Sequence, residues 1–430
     1  MADKITPRTL KGFRDFPPEL KIPRDKMIES IKSTFESFGF LPLETPALEY
    51  KEALIGDYGE DEKLMYAFTD HGGREVAMRF DLTVPLARFV AQNPQLTLPF
   101  KRYQIAPVWR GENTQAGRYR EFYQCDADII GADINKSDLE IITLTAKVLE
   151  NLDIGKTIIR INNRKLYTCL IDKINIKEEN QAKFLQKIDK INKIGLDGVI
   201  SQIKELGISE EKLEPVKEFL GLSTKWSLAC EQIQNFGLCE IGKQGFSELD
   251  KLFSALAKLG YSEDKIIFDP SVVRGLGYYT GTIFEANLDK NKEFGSIAGG
   301  GRYDNLTQRF TDKSLPAIGI SFGIDRLLAA LEKVRGTGAR NFVAKVLVTI
   351  TDNSNNLKDF EVAEKLRLAG IKSEIYSGES RDLSKQLKYS SNLNIPFAII
   401  YGENESLILK DMDSGDQEEM TIEEIINKLK

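Results

Sequence analysis

Two segments concentrate the residue types able to do chemistry: Arg274-Gly-Leu-Gly-Tyr-Tyr-Thr-Gly281 and Ala298-Gly-Gly-Gly-Arg-Tyr-Asp304. Each sets one arginine among glycines and tyrosines. Glycine lets the backbone turn at positive φ and come close to a ligand. Arginine presents a rigid fork of donors matched to phosphate or carboxylate, and tyrosine an apolar wall with a polar tip. Together they describe a pocket for a small polar ligand near phosphate. A dinucleotide fingerprint at Gly275–Gly277 fails, because Gly281 comes one residue too late and tyrosines stand where a helix should start.

A second constellation joins Trp109-Arg-Gly-Glu112 to Arg118-Tyr-Arg-Glu-Phe-Tyr-Gln-Cys-Asp-Ala-Asp128. Two strands flank a loop, with Arg110 on one strand and Arg118 and Arg120 at the start of the next. Converging arginines suit a nucleoside triphosphate, and Phe122 could stack on its base. Taken alone, the pattern reads better as a charged hairpin on a solvated edge. A third, Gly319-Ile-Ser-Phe-Gly-Ile-Asp-Arg-Leu-Leu328, turns a strand into a helix that exposes Arg326 in its first turn. The plainer alternative there is a packed corner with a solvated arginine.

Composition removes other chemistries. The only histidine, His71, sits in the turn sequence Thr69-Asp-His-Gly-Gly73, so histidine-rich metal sites and histidine-bearing triads lack their parts. Catalysis must run on arginine, carboxylate, tyrosine and a bound metal ion, with no metal ligand assigned. Cys125, Cys169, Cys230 and Cys239 show no C-x-x-C spacing, and buried, reduced thiols in a cytoplasmic protein are expected. The start lacks the apolar core of a signal peptide, and no apolar run approaches the ~20 residues of a membrane span. A net charge of −6 argues against nonspecific coating of nucleic acid while leaving room for a local basic face.

The elements that must position these residues follow from periodicity. Length predicts two or three domains. Residues 22–38 are spaced as an amphipathic helix, and Gly39-Phe-Leu-Pro-Leu-Glu-Thr-Pro46 stops it and begins a strand. Short strands at 77–80, 100–108 and 122–130 predict an antiparallel sheet, and 137–151 a helix capped by Ser137. From 166 to 258, Lys and Glu alternate with Ile and Leu at helical spacing, as expected of a helical insertion. Strands resume at 266–268 and 281–288, and 314–331 runs from strand to helix. A polar joint at 332–343 leads to an α/β alternation over 344–430, a separate small domain. The expected parts are thus 1–165 and 259–331 for the sheet domain, 166–258 for the insertion and 344–430 for the last domain.

The three motifs, in this order, resemble motifs 1, 2 and 3 of class II aminoacyl-tRNA synthetases: Gly39–Pro46, Trp109–Asp128 and Gly319–Leu328. With Lys11-Gly-Phe-Arg-Asp15, Arg79-Phe-Asp-Leu-Thr-Val-Pro85 and the two opening segments, the chain resembles histidyl-tRNA synthetases over nearly its whole length. Gly277 stands where that family usually has aspartate.

The resemblance implies an α+β fold: an antiparallel-sheet catalytic domain with a helical insertion, and a C-terminal α/β anticodon-binding domain. It implies two reaction steps, histidine plus ATP to histidyl-adenylate, then transfer to tRNA. The first needs positioning and charge neutralisation, with no side-chain nucleophile. The residues implied for ATP are Arg110, Glu112, Arg118, Phe122 and Arg326, with Arg110 and Arg274 catalytic at the α-phosphate and Mg²⁺ accompanying the nucleotide. Those implied for histidine are Asp81 and Thr83 at the amino group, Gln124 near the carboxylate, Asp128 and Tyr279 at the imidazole, and Tyr278 and Arg274 beside them. Motif 1 implies a homodimer. Arg381, Lys385 and Lys388, predicted on one helix face, are candidates for tRNA contact. The rival is a synthetase-like regulatory subunit of ATP phosphoribosyltransferase, which typically lacks the C-terminal domain and has degraded motifs.

Overall fold

The computed structural model describes residues 4–56, 63–114, 117–273, 278–335, 342–351, 357–402 and 406–430. The chain divides into two compact units, Met1–Asp15 with Lys26–Gly336, and Phe16–Asp25 with Thr337–Lys430.

The first unit contains α1 (Pro18–Ser37) from Lys26 onward, then β1 (Leu41–Pro42), β2 (Leu48–Tyr50), α2 (Lys51–Leu54), β3 (Ala67–Thr69), β4 (Glu75–Met78) and α3 (Thr83–Gln92). The central hairpin is β5 (Phe100–Trp109) and β6 (Glu121–Ile130), followed by α4 (Ile134–Leu152) and β7 (Thr157–Asn163). Six helices come next: α5 (Arg164–Ile174), α6 (Glu178–Ile188), α7 (Ile191–Lys204), α8 (Glu214–Leu220), α9 (Trp226–Asn235) and α10 (Glu240–Lys258). The unit closes with β8 (Ile266–Phe268), β9 (Thr282–Leu288), β10 (Ser296–Arg302), β11 (Ala317–Gly323) and α11 (Ile324–Arg335).

Eight of these strands form one sheet in the order β1-β5-β6-β11-β10-β9-β7-β8. It is antiparallel from β5 through β7, as the short strands predict, with a parallel pair at each edge. Its two faces differ in chemistry because side chains alternate along a strand. Tyr103, Cys125, Ala127, Ile129, Ile318, Ile320, Phe322 and Phe284 point to one side, where the main core also takes in α1, α4 and the helices after β7. The other face is polar. The predicted insertion therefore shares a core with the sheet.

The helix expected at 137–151 begins earlier, at Ile134. Asp133 is its cap, accepting from the Lys136 N–H at 3.1 Å. Ser137 lies one turn inside, where its hydroxyl donates to the Asp133 carbonyl at 2.8 Å. The expectation of buried thiols holds for Cys125 and Cys169, whereas Cys230 and Cys239 are half-buried. His71 is exposed in the β3–β4 turn, which Asp70 closes by accepting from Gly72 N and Arg74 N. Among the described residues, no helix is long and apolar enough to cross a membrane.

The second unit carries β12 (Val346–Val348), α12 (Lys358–Leu368), β13 (Ser373–Ile375), α13 (Leu383–Asn392), β14 (Phe397–Tyr401), β15 (Leu407–Asp411), β16 (Gln417–Met420) and α14 (Ile422–Leu429). The sheet order is β13-β12-β14-β15-β16, parallel at one side and antiparallel at the other. Its core is Val346, Val348, Ile399, Leu409 and the inner sides of α12 and α14. Thr421 and Glu424 form a reciprocal capping box that starts α14. Strand β16 gives no periodic signal, because its Gln-Glu-Glu run lies exposed at the sheet edge.

Candidate functional site

The polar face of the large sheet is built row by row from register. Gln104, Asp126, Ser321, Gly299, Glu285 and Arg160 face one another across β5, β6, β11, β10, β9 and β7. One step along, Arg102, Asp128, Gly319, Gly301, Ile283 and Asn162 make a second row. Toward the β5–β6 loop come Ala106 opposite Gln124, then Val108 opposite Phe122. Phe122 and the three polar residues Gln124, Asp126 and Asp128 thus lie on one face of β6 at alternate positions, running from the loop end to the interior.

The interior end is closely packed. Arg102 is fully buried, ion-pairs through Nη2 with Asp128 Oδ2 at 2.8 Å and donates to the Leu82 carbonyl at 3.0 Å. The Tyr303 hydroxyl donates to Asp128 Oδ1. Burial raises the Asp128 carboxyl above its ordinary range, opposed by the Arg102 charge and the Tyr303 hydrogen bond. Gly319 is required here: a Cβ on it would lie 1.9 Å from Asp128 Oδ1. Gly301 similarly admits the Tyr279 ring, whose Cδ1 would be 2.8 Å from a Cβ. Tyr278 packs against both Tyr279 and Tyr303, with centroids 4.9 and 5.9 Å apart. The tyrosines therefore wall the Asp128 end.

In the middle, Gln124 Nε2 donates to Ser321 Oγ at 2.7 Å, and the Ser321 hydroxyl hydrogen-bonds Asp126. Burial pushes the Asp126 carboxyl up to about 7, opposed by Arg102 and reinforced by the Asp128 and Asp81 charges. Asp81 is buried ahead of α3, and its Oδ1 accepts from Thr83 N at 3.1 Å and Val84 N at 3.0 Å. A carboxylate at a helix N-terminus is held by the free N–H groups of the first turn.

At the loop end, Arg110 Nε donates to the Phe80 carbonyl at 3.0 Å. Its guanidinium lies 4.5 Å from the Phe80 ring centroid and 5.1 Å from that of Phe122. Glu112 pairs with Arg118 at 3.4 Å, with Arg118 half exposed. Arg120 is turned toward the N-terminal segment: its N–H donates to the Gly12 carbonyl at 2.8 Å and its Nε to the Glu112 carbonyl at 3.2 Å. Arg14, from the same segment, stacks 3.8 Å from the Tyr119 ring and pairs with Asp325. The Lys11–Asp15 segment thus ties the hairpin to the start of α11. There Arg326 donates to the Ser296 carbonyl at 2.6 Å. Arg274 and Gly277 lie outside the described residues.

Arg302 differs from the expectation for its segment. It is fully buried and makes no ligand pocket. Nε donates to Asp138 at 3.0 Å, Nη1 to Asp304 at 3.0 Å, and Nη2 to Ser137 at 2.8 Å. Its register partner, Ile318, is on the apolar face, so alternation sends it toward α4. Sequence reasoning missed Arg102, Asp126, Ser321 and Tyr303. Asp126 was visible as the middle member of Gln124-x-Asp126-x-Asp128. Arg102 was not, because it reads as a polar residue within a strand until register sets it opposite Asp128.

The histidyl-tRNA synthetase family profile matches residues 12–327 and the anticodon-binding-domain profile residues 345–430. This chain belongs to the histidyl-tRNA synthetase family. A histidine–tRNA ligase of Wolinella succinogenes is 42% identical over 424 residues, covering 96% of this chain and 95% of its own length. The crystal structure of histidyl-tRNA synthetase from Nostoc sp. PCC 7120 matches with a TM-score of 0.87 at 32% identity, over 99% of this chain and 100% of that one. A Bacillus halodurans structure described as an ATP phosphoribosyltransferase regulatory subunit/histidyl-tRNA synthetase matches with a TM-score of 0.76 at 24% identity, over 91% and 97%. That likeness concerns the fold, which therefore does not separate the two functions.

Proposed function

We propose that the chain charges tRNA with histidine in two steps, forming histidyl-adenylate from histidine and ATP and then transferring the histidyl group to the tRNA 3′ end. What carries the reading is family membership over nearly the whole chain, joined to an intact polar face that sets Arg110, Gln124 and Asp128 along one line of approach. The regulatory alternative fits less well, since the C-terminal domain matches the anticodon-binding family and the motif arginines Arg110 and Arg326 are retained.

In this mechanism the histidine carboxylate attacks the α-phosphorus and pyrophosphate leaves. Arg110, held against Phe80 and Phe122, and Arg274 neutralise the phosphate from two sides. Arg274 rests on the family resemblance alone. Phe122 and Arg326 hold the adenine, and Glu112 and Arg118 contact the nucleotide. Asp81 and Thr83 hold the amino group, Gln124 lies near the carboxylate, and Asp128 with Tyr278 and Tyr279 encloses the imidazole. Mg²⁺ would accompany the triphosphate, as suits a cation that keeps its phosphate and water ligands. The chain acts as a cytoplasmic homodimer. Lys385 and Lys388 are exposed on α13 and reach toward the tRNA backbone. Arg381, also exposed, precedes the Asp382 cap and so is not on the predicted helix face.

The deciding measurement is histidine-dependent, Mg²⁺-dependent exchange of pyrophosphate into ATP, followed by charging of tRNA. Absence of exchange in folded protein that binds ATP phosphoribosyltransferase would establish the regulatory reading instead. Gly277→Asp restores the family's usual carboxylate: a faster exchange means the natural glycine weakens the site, and no gain means another group compensates.

A further inference from the structure

Two thiols meet at the base of the helical insertion. Strand β7 runs straight into α5, and α10 leads back toward β8, so these two helices carry the chain in and out of the insertion. They pack closely because α10 presents glycines to α5. A Cβ on Gly242 would lie 2.9 Å from both Cβ and Sγ of Cys169, and one on Gly245 2.8 Å from Lys165 Cβ. Polar ties hold the same pair of helices: Asn163 Nδ2 donates to Glu248 at 2.8 Å, and Lys165 pairs with that carboxylate.

Cys169, on α5, is buried, whereas Cys239, which precedes the first turn of α10, is half-buried, and both are free thiols. The Cys239 N–H donates to Cys169 Sγ at 2.9 Å, and a thiol–thiol hydrogen bond joins the two side chains. The Cys239 side chain makes no capping bond to its own helix. A sulfur that already touches the backbone N–H of the other residue needs only side-chain rotation to come within bonding reach of that residue's sulfur.

A free cysteine commonly serves as a small buried hydrophobe. That accounts for Cys169. It does not account for Cys239, partly open to solvent at a helix start and beside a second thiol. Burial pushes the Cys169 thiol up to about 11, and the neighbouring Cys239 adds to the rise. Cys169 therefore keeps its proton at neutral pH, and the more exposed Cys239 meets an oxidant first.

We propose that Cys169 and Cys239 are a redox modification site, which hydrogen peroxide converts to a disulfide that closes the base of the insertion and stabilises it. Cys239 Sγ attacks one peroxide oxygen: the S–O bond forms, the O–O bond breaks, and the departing hydroxide takes the thiol proton and leaves as water. Cys169 Sγ then attacks the sulfenic sulfur of Cys239. The S–S bond forms, the S–O bond breaks, and the leaving hydroxide takes the Cys169 proton as a second water. The two thiols lose two electrons together, and one peroxide is reduced to two waters. The bond closes residues 170–238, which contain α6, α7, α8 and α9, into a loop. A cross-link over so long a loop restricts the unfolded insertion far more than the folded one.

The test uses the full-length protein without denaturant. Hydrogen peroxide is added, the remaining thiols are alkylated in urea, and the products are read by mass spectrometry. Two of the four thiols should be lost together, with one peptide linking Cys169 to Cys239, and dithiothreitol should restore both. Trp226, on α9, lies inside the closed loop, so the urea midpoint of its emission should rise in the oxidised protein. Cys239→Ser should leave Cys169 alkylatable after the same treatment and abolish the rise. Cys169→Ala should stop at a Cys239 sulfenic acid, trapped by dimedone. Cys169 still alkylatable in peroxide-treated wild type, whether or not Cys239 has reacted, or a linked protein whose midpoint does not rise, would overturn the proposal.

Discussion

Replacing Asp126 with asparagine should change how the stability of the first unit depends on pH. The Asp126 carboxyl is buried between Arg102, Asp128, Ser321 and Asp81, and its pKa is raised to about 7. In the unfolded chain it returns to about 3.9. Below pH 4 both states hold the proton, and the group gives its full stabilisation. Between pH 4 and 7 only the folded state holds it, so stability falls as pH rises, and above 7 the contribution is gone. One pH unit corresponds to about 1.4 kcal/mol, so moving from pH 5 to pH 8 removes about 3 kcal/mol through this one group. Asparagine cannot titrate, and the variant lacks that slope. Both tryptophans, Trp109 and Trp226, lie in the first unit, so their emission during urea unfolding reports that unit alone. The stability of Asp126→Asn minus that of wild type should increase by about 3 kcal/mol from pH 5 to pH 8 in histidine-free buffer. A gap that stays constant across this range would mean that Asp126 is ionised in the folded protein throughout, and that burial does not dominate at this position.

Other substitutions separate the parts of the molecule. Gly319→Ala places a methyl 1.9 Å from Asp128 Oδ1, so the Asp128 side chain must move; KM for histidine should rise more than tenfold while KM for ATP holds, and equal loss in both would show a general collapse of the sheet. Arg302→Met leaves the Asp138 carboxylate buried without its counter-charge; breaking such a pair should cost about 3–5 kcal/mol, read as a lowered midpoint of the tryptophan transition. Lys385→Glu with Lys388→Glu should raise KM for tRNA in charging while leaving pyrophosphate exchange at the wild-type rate; a loss of exchange would refute a role confined to tRNA.

The difference between what could and could not be foreseen follows from the kind of information each residue carries. Strands β5 and β6 were legible because alternation along one strand is local, and α14 because its capping residues are three apart. The helical stretch after β7 was legible from its period, but its sharing of the sheet's core depends on contacts between distant segments. The two arginines of the glycine-tyrosine segments looked equivalent from composition. Arg302 proved otherwise because parity along β10 turns it to the apolar side, where Asp138, Asp304, Ser137 and the Ile134 carbonyl make its burial tolerable. Arg102 shows the converse. Nothing within Phe100–Trp109 marks it, yet register sets it opposite Asp128, and its charge acts on both Asp126 and Asp128. Three carboxyl groups this close in a dry interior, with Asp81 the third, favour further positive charge beside them. The substrate's own ammonium and ring donors are suited to supply it. On this reasoning a chain with one histidine, exposed in a turn, binds histidine through an excess of buried acceptors, and the glycines at 301 and 319 admit the Tyr279 ring and the Asp128 carboxyl that line them.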